Sequence, residues 1–256
     1  MDDATEFLER RSEGYEEVAN RIRVVFFDMG DTLTTILPSW ETLYVNVCAR
    51  HGIHVDHDAL VAATREVFGA LDADESRMTY EATEEADQRY YQEINGAILR
   101  RAGAPMNDQM RTILEHLQAE FETPAHFHLF PDAIPTLETL HDAGYRLGII
   151  SNWSWNLPDL CDGLGITGYF DHIVTSARVG ASKPHRAIYD YALHWFGAQP
   201  EECVQIGDNA VADVAGARAV GMHGILIDRR GREHDDTYPV VRALAEVPEV
   251  VAGLGA

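Results

Sequence analysis

Polar side chains follow the ends of four short apolar runs of this sequence. They comprise three carboxylates, a hydroxyl, an amide and an ammonium, in chain order Asp28, Ser151, Asn152, Lys183, Asp208 and Asp213. A carboxylate that attacks an anionic group needs positive charge nearby, which an ammonium or a bound divalent cation can supply. The set is therefore suited to nucleophilic chemistry on an anionic substrate, provided that the fold brings its members together.

Lys183 is the only lysine among the 20 lysines and arginines of the chain. Lysine carries a compact point charge, whereas the guanidinium of arginine is broad and planar, so a site that admits only the compact charge would explain its retention. Chance is the rival explanation, because a single lysine must fall somewhere. Its setting in Gly180-Ala-Ser-Lys183-Pro184, just past a strand-like run, favours the functional interpretation.

Each of these residues also has an ordinary structural explanation. Asp28 could form a turn at a strand end, and Ser151 could form a similar hydroxyl-based turn. Asp208 could cap a helix that begins near Asn209. Taken singly, these explanations are as good as the functional one, but they do not account for the order and spacing of the whole set.

The surrounding pattern predicts an α/β fold. Short apolar runs alternate with helical stretches and short connectors, which is typical of a doubly wound parallel sheet. Strands are predicted at 23–27, 146–150, 172–175, 203–206 and 224–227, and helices at 132–143, 155–164, 184–197 and 209–220. In such sheets ligands bind beyond the carboxyl ends of the strands, where the polar set lies.

One segment interrupts this alternation. Residues 36–124 contain no strand-like run, and apolar residues recur there at helical spacing, as in Leu60, Ala63 and Val67. We expect an inserted all-α cap over 36–124 whose last helix covers 107–121. The predicted organisation is completed by an acidic helical extension at 1–20 and a catalytic core made of 21–35 and 125–256.

The set resembles the four motifs of the haloacid dehalogenase superfamily of hydrolases. The segment Asp28-Met-Gly-Asp-Thr-Leu33 looks like the first motif, Ser151-Asn152 the second and Lys183-Pro184 the third. The fourth is Gly207-Asp-Asn-Ala-Val-Ala-Asp213, and a helical insertion after the first motif is similar to the class with a C1-type cap. The resemblance covers residues 22 to 228 and implies a Rossmann-like core.

The resemblance also implies a role for each residue. Asp28 would be the nucleophile that forms an aspartyl-phosphate, and Asp28, Asp208 and the Gly30 carbonyl would bind Mg2+. Lys183 would neutralise charge on the nucleophile and the phosphoryl group. Ser151 and the Asn152 amide would hold phosphoryl oxygens, and Asp213 would orient the metal ligands from behind.

One position departs from the family pattern. The second residue after the nucleophile is usually an Asp that protonates the leaving group, and here it is Gly30. Asp31 is one place further on, so its side chain would point to the other face of an extended segment. General acid–base catalysis contributes about 10²–10⁴-fold in rate. We therefore expect slow turnover, or substrates whose leaving group needs no proton, such as acyl or aryl phosphates.

Two other functions remain open. A metal-independent 2-haloacid dehalogenase would share the nucleophile and the missing acid, but its fourth motif would lack the metal-binding Asp that is intact here as Asp208. A catalytically weak member that binds a phosphorylated ligand or a partner protein is the second alternative, prompted by Gly30. A phosphonoacetaldehyde hydrolase would need a cap lysine, and residues 36–124 contain none.

Composition limits the partners. The formal net charge of −22 disfavours nucleic acid and anionic membranes, since both repel an acidic surface. Three widely spaced cysteines and an acidic N-terminus without an apolar run favour a cytoplasmic protein. We expect a small phosphorylated molecule as the substrate; the sequence carries no signal for an oligomeric state.

Overall fold

The computed structural model describes residues 22–72, 78–232 and 236–254. Its strands are β1 (Val24–Phe27), β2 (Thr34–Ile36), β3 (Phe127–Leu129), β4 (Arg146–Ser151), β5 (His172–Thr175), β6 (Cys203–Gly207), β7 (His223–Ile227) and β8 (Val240–Val241). Six of them form a parallel sheet in the order β5-β4-β1-β6-β7-β8. The predicted α/β class with a parallel sheet is confirmed.

The helices are α1 (Trp40–Arg50), α2 (His57–Asp72), α3 (Glu84–Arg101), α4 (Met110–Phe121), α5 (Ala133–Asp142), α6 (Leu157–Gly163), α7 (Ser176–Val179), α8 (Arg186–Phe196), α9 (Gly216–Ala219) and α10 (Val247–Leu254). A π-helical turn at Ala210–Ala215 precedes α9. The stretch predicted as one helix at 209–220 therefore forms a π-helical turn followed by a short α-helix. The other predicted core helices agree with the structure to within a few residues at each end.

Strand β1 is buried on both faces because it lies in the middle of the sheet. Val25 and Phe27 pack into one hydrophobic cluster with α5, α6 and α10. Val24 and Phe26 point the other way, into a second cluster with α8. Alternate residues of a strand face opposite sides, so a continuous apolar run is what a sheet covered by helices on both faces requires.

Helices α1 to α4 build a separate hydrophobic cluster, and we call these four helices the cap. Leu60, Ala63 and Val67 are buried in this cluster, as their helical spacing predicted. The side chains of Ser39 and Thr83 accept backbone N–H groups at the starts of α1 and α3. These hydrogen bonds satisfy donors that the first turn of a helix leaves unpaired.

Two features of the fold were not predicted from the sequence. Strands β2 and β3 form a small antiparallel sheet where the chain enters and leaves the cap. Strand β8 adds a sixth strand of two residues, which is too short to show a periodic pattern. The extension predicted at 1–20 lies outside the described residues. None of the described helices combines the length and apolar character needed to cross a bilayer.

Candidate active site

The predicted residues meet at one edge of the sheet. Strands β4, β1 and β6 are neighbours, so Ser151, Asp28 and Asp208 lie at the carboxyl ends of adjacent strands. A cavity of about 160 Å³ opens there. It is lined by all seven predicted site residues, namely Asp28, Gly30, Ser151, Asn152, Lys183, Asp208 and Asp213, together with Trp153, Asn209 and Ala212.

Lys183 lies at the centre of this arrangement and is only 4% exposed. Its Nζ donates to Asp28 Oδ1 at 2.7 Å, to the Ile150 carbonyl oxygen at 2.7 Å and to Asp213 Oδ1. The three N–H groups of an ammonium are thus all used, and its compact shape suits three acceptors converging on one atom.

Asp213 is fixed by its neighbours on both carboxylate oxygens. Oδ1 accepts from Lys183 and from Gln205 Nε2 at 3.1 Å, and Oδ2 accepts from the Asn209 N–H at 3.1 Å. A Cβ atom on Gly207 would lie 2.0 Å from Asp213 Cγ, so only glycine fits at that position. This supports a positioning role for Asp213, behind the residues that face the substrate.

Three carboxylates and one ammonium give the site a negative charge. One oxygen each from Asp28, Asp208 and Asp213 lies within 4.8 Å of the others. Three negative charges and the single positive charge of Lys183 leave a formal charge of −2. Oxygen donors with this charge match a hard divalent cation such as Mg2+, so the residues present fit the metal that the family resemblance implies.

The protonation states follow from burial and from these charges. Burial has the largest effect on Asp28 and raises its pKa. The charge of Lys183 lowers this pKa, and the charge of Asp213 raises it further. The nearby Ser151 hydroxyl lowers the pKa of Asp28 slightly. Burial would lower the pKa of Lys183, but the charges of Asp213 and Asp28 outweigh it and hold the pKa above its ordinary value. Lys183 therefore stays an ammonium.

Asp208 is the most accessible carboxylate of the cluster. Desolvation, followed by the charges of Asp28, Asp213 and Asp31, raises its pKa to about 7. Asp208 is exposed as a residue, so water still reaches it. A cation would relieve the repulsion between these carboxylates. The helix-capping alternative does not apply to Asp208, since Asn209 Oδ1 accepts the N–H groups that begin the π-helical turn.

The side chain of Asn152 holds the backbone of Lys183 in place. Its Nδ2 donates to the Lys183 carbonyl oxygen at 2.9 Å, and its Oδ1 accepts the Lys183 N–H at 2.6 Å. This two-point contact positions Lys183 from β4. The side-chain amide of Asn152 is therefore engaged through both its nitrogen and its oxygen.

Trp153 fills the space beside the missing acid. A Cβ atom on Gly30 would lie 3.3 Å from Trp153 Cζ3, which is closer than ordinary van der Waals contact. The next residue, Asp31, adopts a left-handed backbone conformation with φ of 52°. The loop is thus not extended, yet Asp31 lines a neighbouring hollow with Asp208 and Arg229. A side chain at residue 30 would require the Trp153 ring to move by a few tenths of an ångström.

Two supporting residues were missed by the sequence analysis. Gln205 is fully buried in β6 and hydrogen-bonds Asp213; a glutamine inside an apolar strand was the available signal. Asp87 lies in cap helix α3, is 4% exposed and accepts the main-chain N–H of Trp155 at 2.8 Å. No sequence pattern links Asp87 to that loop, because the contact exists only when the cap packs on the core.

Comparison with known proteins agrees with this geometry. The sequence model of the haloacid dehalogenase-like hydrolase family matches residues 22–221. The chain belongs to the haloacid dehalogenase-like hydrolases. Haloacid dehalogenase-like hydrolase domain-containing protein 3 from Bos taurus is 28% identical over 208 residues, which cover 81% of this chain and 82% of that protein.

Relatives within the family differ in activity. A glyceraldehyde 3-phosphate phosphatase from Methanothermobacter thermautotrophicus is 39% identical over 105 residues, covering 39% of this chain and 44% of that protein. The structure of a 2-haloacid dehalogenase from Pseudomonas syringae pv. Tomato DC3000 is similar with a TM-score of 0.65 and 25% identity, covering 91% of this chain and 99% of that one. The haloacid dehalogenase-like fold alone is therefore compatible with both phosphatase and dehalogenase activity.

Proposed function

We propose that this haloacid dehalogenase-like hydrolase is a Mg2+-dependent phosphatase acting on a small phosphorylated metabolite. The observation that carries the proposal is the cluster of Asp28, Asp208 and Asp213 around one buried ammonium, with a formal charge of −2. An anionic phosphoryl group could not approach this cluster unless a divalent cation offset its charge.

Asp28 is the proposed nucleophile. One carboxylate oxygen attacks phosphorus, the bond from phosphorus to the leaving oxygen breaks, and an aspartyl-phosphate forms. Ser151 lines this cavity and would hold phosphoryl oxygens together with the main-chain N–H of Asn152, while the positive charge of Lys183 would offset the charge of the nucleophile and of the phosphoryl group. Water then attacks the aspartyl-phosphate, releasing inorganic phosphate and restoring the Asp28 carboxylate.

The metal would be held by Asp28 and Asp208, with the carbonyl oxygen of Gly30 as a third protein ligand. Bound Mg2+ would offset negative charge on the phosphoryl group. Asp213 would keep Lys183 and the 207–209 turn in place, through the contacts that both of its oxygens make.

The leaving group must be one that departs without a proton from residue 30. Trp153 occupies the space beside Gly30, and acid–base catalysis is typically worth about 10²–10⁴-fold. Acyl phosphates and aryl phosphates have stable leaving groups, so they fit this site better than alkyl phosphates do. We propose slow turnover of alkyl phosphomonoesters.

Two alternatives are supported by particular observations. The structural similarity to a 2-haloacid dehalogenase and the absence of an acid at Gly30 favour dehalogenation, whereas Asp208, whose charge would repel a substrate carboxylate, disfavours it. A catalytically weak member that binds a phosphorylated ligand or a partner protein would also account for Gly30. The phosphatase-named relative supports phosphate chemistry.

The proposal extends to the organisation and location of the protein. We assign catalysis to a core of 21–35 and 125–256 and substrate selection to a cap of 36–124. We place the protein in the cytoplasm with no nucleic-acid or membrane partner. The described cysteines, Cys48, Cys161 and Cys203, are free thiols and buried, as expected in a reducing compartment.

A phosphatase screen tests the proposal. Purified protein is incubated with a panel of phosphorylated metabolites, acetyl phosphate and 2-chloropropionate, each with Mg2+ and with EDTA. Phosphate release that needs Mg2+ and is abolished by Asp28→Asn is the expected result. Chloride release in EDTA would establish the dehalogenase alternative, and no release from any compound would favour the binding protein.

A further inference from the structure

A second cavity lies between the cap and the core. Its volume is about 240 Å³. We call it the cap cavity; its apolar wall comes from the four cap helices and includes Trp40, Tyr44, Phe68, Tyr91, Ile94 and Phe121. A flat or apolar group of modest size would fill it, since aromatic walls favour stacking and the burial of apolar surface.

The cap cavity adjoins the candidate active site. Asn152 and Trp153 line both the cap cavity and the cavity that contains Asp28. A larger cleft of about 510 Å³, which reaches Lys183, also shares Asn152 and Tyr91 with the cap cavity. A substrate whose phosphoryl group lies at Asp28 would therefore extend past Asn152 towards the cap cavity.

The charge of the cap cavity restricts its ligand. Among the described residues no arginine or lysine lines it, and Glu122 contributes a carboxylate. A leaving group with a second phosphate or a carboxylate would be placed against Glu122 without a cation to pair with it, which is costly in an apolar pocket.

Two buried polar atoms on the wall have no partner within the described part of the chain. Tyr44 donates its hydroxyl proton to Asn95 Oδ1 at 2.6 Å, which fixes the amide and leaves Asn95 Nδ2 unpaired. Thr64 Oγ1 is the second such atom. Asn95 is 3% exposed. Buried donors without a partner are rare in native proteins, so a ligand that accepts from Asn95 would satisfy one.

We infer that the cap cavity binds the leaving group of the substrate, and that this group is uncharged, largely apolar or aromatic, and carries a hydrogen-bond acceptor for Asn95. This inference rests on the proposed phosphatase function and narrows its substrate class. It disfavours bisphosphates and phosphorylated carboxylic acids as substrates.

Matched aryl phosphates test the charge requirement. Para-(methoxycarbonyl)phenyl phosphate and para-carboxyphenyl phosphate differ in the charge at the far end of the ring. We expect kcat/KM to favour the neutral ester by at least about tenfold, because no cation meets the carboxylate. Glu122→Gln should reduce this preference. Equal kcat/KM for the two compounds, or a preference for the carboxylate, would overturn the inference.

The hydrogen bond is tested by the ratio of kcat/KM for the neutral ester to that for para-propylphenyl phosphate, which has no acceptor. Asn95→Leu should lower this ratio by about three- to tenfold, as the loss of one hydrogen bond implies. Thr64→Val provides a second variant if Asn95→Leu does not fold. Asn46→Leu places the same change on an exposed position of α1 and should leave the ratio unchanged. A ratio that neither cavity variant alters would contradict the assignment.

Product binding separates this inference from the proposed function. Binding of methyl para-hydroxybenzoate is followed by tryptophan fluorescence without any phosphate compound, in wild-type protein and in Asn95→Leu. If no phosphate ester is hydrolysed but the phenol binds and Asn95→Leu weakens it, the cavity assignment holds and the phosphatase proposal fails. If Mg2+-dependent hydrolysis occurs but the phenol does not bind, the cavity assignment fails alone.

Discussion

Restoring the missing acid at Gly30 should require space to be made at Trp153. A Cβ atom at residue 30 would lie 3.3 Å from the Trp153 ring, against about 3.5–4.0 Å for carbon atoms in favourable contact. An aspartate adds three more heavy atoms beyond that Cβ. Overpacking of this kind typically costs about 1–3 kcal/mol. We therefore expect Gly30→Asp alone to lower stability and to give little gain in rate.

The double variant Gly30→Asp/Trp153→Leu removes the obstruction. We expect its kcat to rise by up to about 10²–10⁴-fold over Trp153→Leu, which is the range for general acid–base catalysis. The assay compares an alkyl phosphomonoester with p-nitrophenyl phosphate, in Mg2+, for the wild type, both single variants and the double variant. The gain should be larger for the alkyl ester, whose leaving oxygen needs a proton.

The control is Gly30→Asn/Trp153→Leu, which has nearly the same shape and cannot act as an acid. The kcat of this control should not exceed that of Trp153→Leu. Two results would refute the reasoning. One is a full gain from Gly30→Asp alone, which would show that Trp153 does not exclude the acid. The other is equal rates for the Asp and Asn double variants, which would show that space and not proton transfer limits turnover.

Two further perturbations test the lysine and the contact between cap and core. Lys183→Arg should lose p-nitrophenyl phosphatase activity almost as fully as Lys183→Met, because a planar guanidinium cannot meet three acceptors at one point; an active Arg variant would contradict this. Lys183→Met should also lower the free energy of unfolding in urea by about 3–5 kcal/mol, since Asp28 and Asp213 lose their buried partner, and an unchanged value would show that the ion pairs do not stabilise the fold. Burial, opposed by the Trp155 N–H, raises the pKa of Asp87 from 3.8 to about 6, and two pKa units correspond to about 3 kcal/mol. A protein whose buried carboxyl has a raised pKa in the folded state becomes less stable as pH rises through that range. The free energy of unfolding of Asp87→Asn in urea titrations should therefore increase by about 2–3 kcal/mol relative to that of the wild type between about pH 4 and pH 6. A difference between the two proteins that does not change with pH would be inconsistent with a titrating buried Asp87.

The sheet and the main site residues were accessible from sequence for a physical reason. Central parallel strands are buried on both faces, so they read as apolar runs, and the residue after each run lies at the edge where ligands bind. Asp28 and Asp208 were predicted to lie together in this way, and the structure brings them to one edge of the sheet. The order of the strands in the sheet depends on contacts between distant segments, so it could not be predicted from the apolar runs.

The features that were missed depend on contacts between distant segments. The Trp153 ring lies beside Gly30 although more than a hundred residues separate them, and Asp87 meets the Trp155 N–H only after the cap has packed. Strand β8 has two residues, and periodicity cannot identify so short a strand. Such contacts and short elements become visible only when the chain is folded.

Trapping the covalent intermediate tests the central claim most directly. Protein is mixed with acetyl phosphate and Mg2+, quenched in acid, and digested for mass spectrometry. We expect a phosphoryl adduct on the peptide that contains Asp28, and none when Mg2+ is replaced by EDTA or when the protein is Asp28→Asn. An adduct on another residue, or hydrolysis that persists in Asp28→Asn, would contradict nucleophilic attack by Asp28.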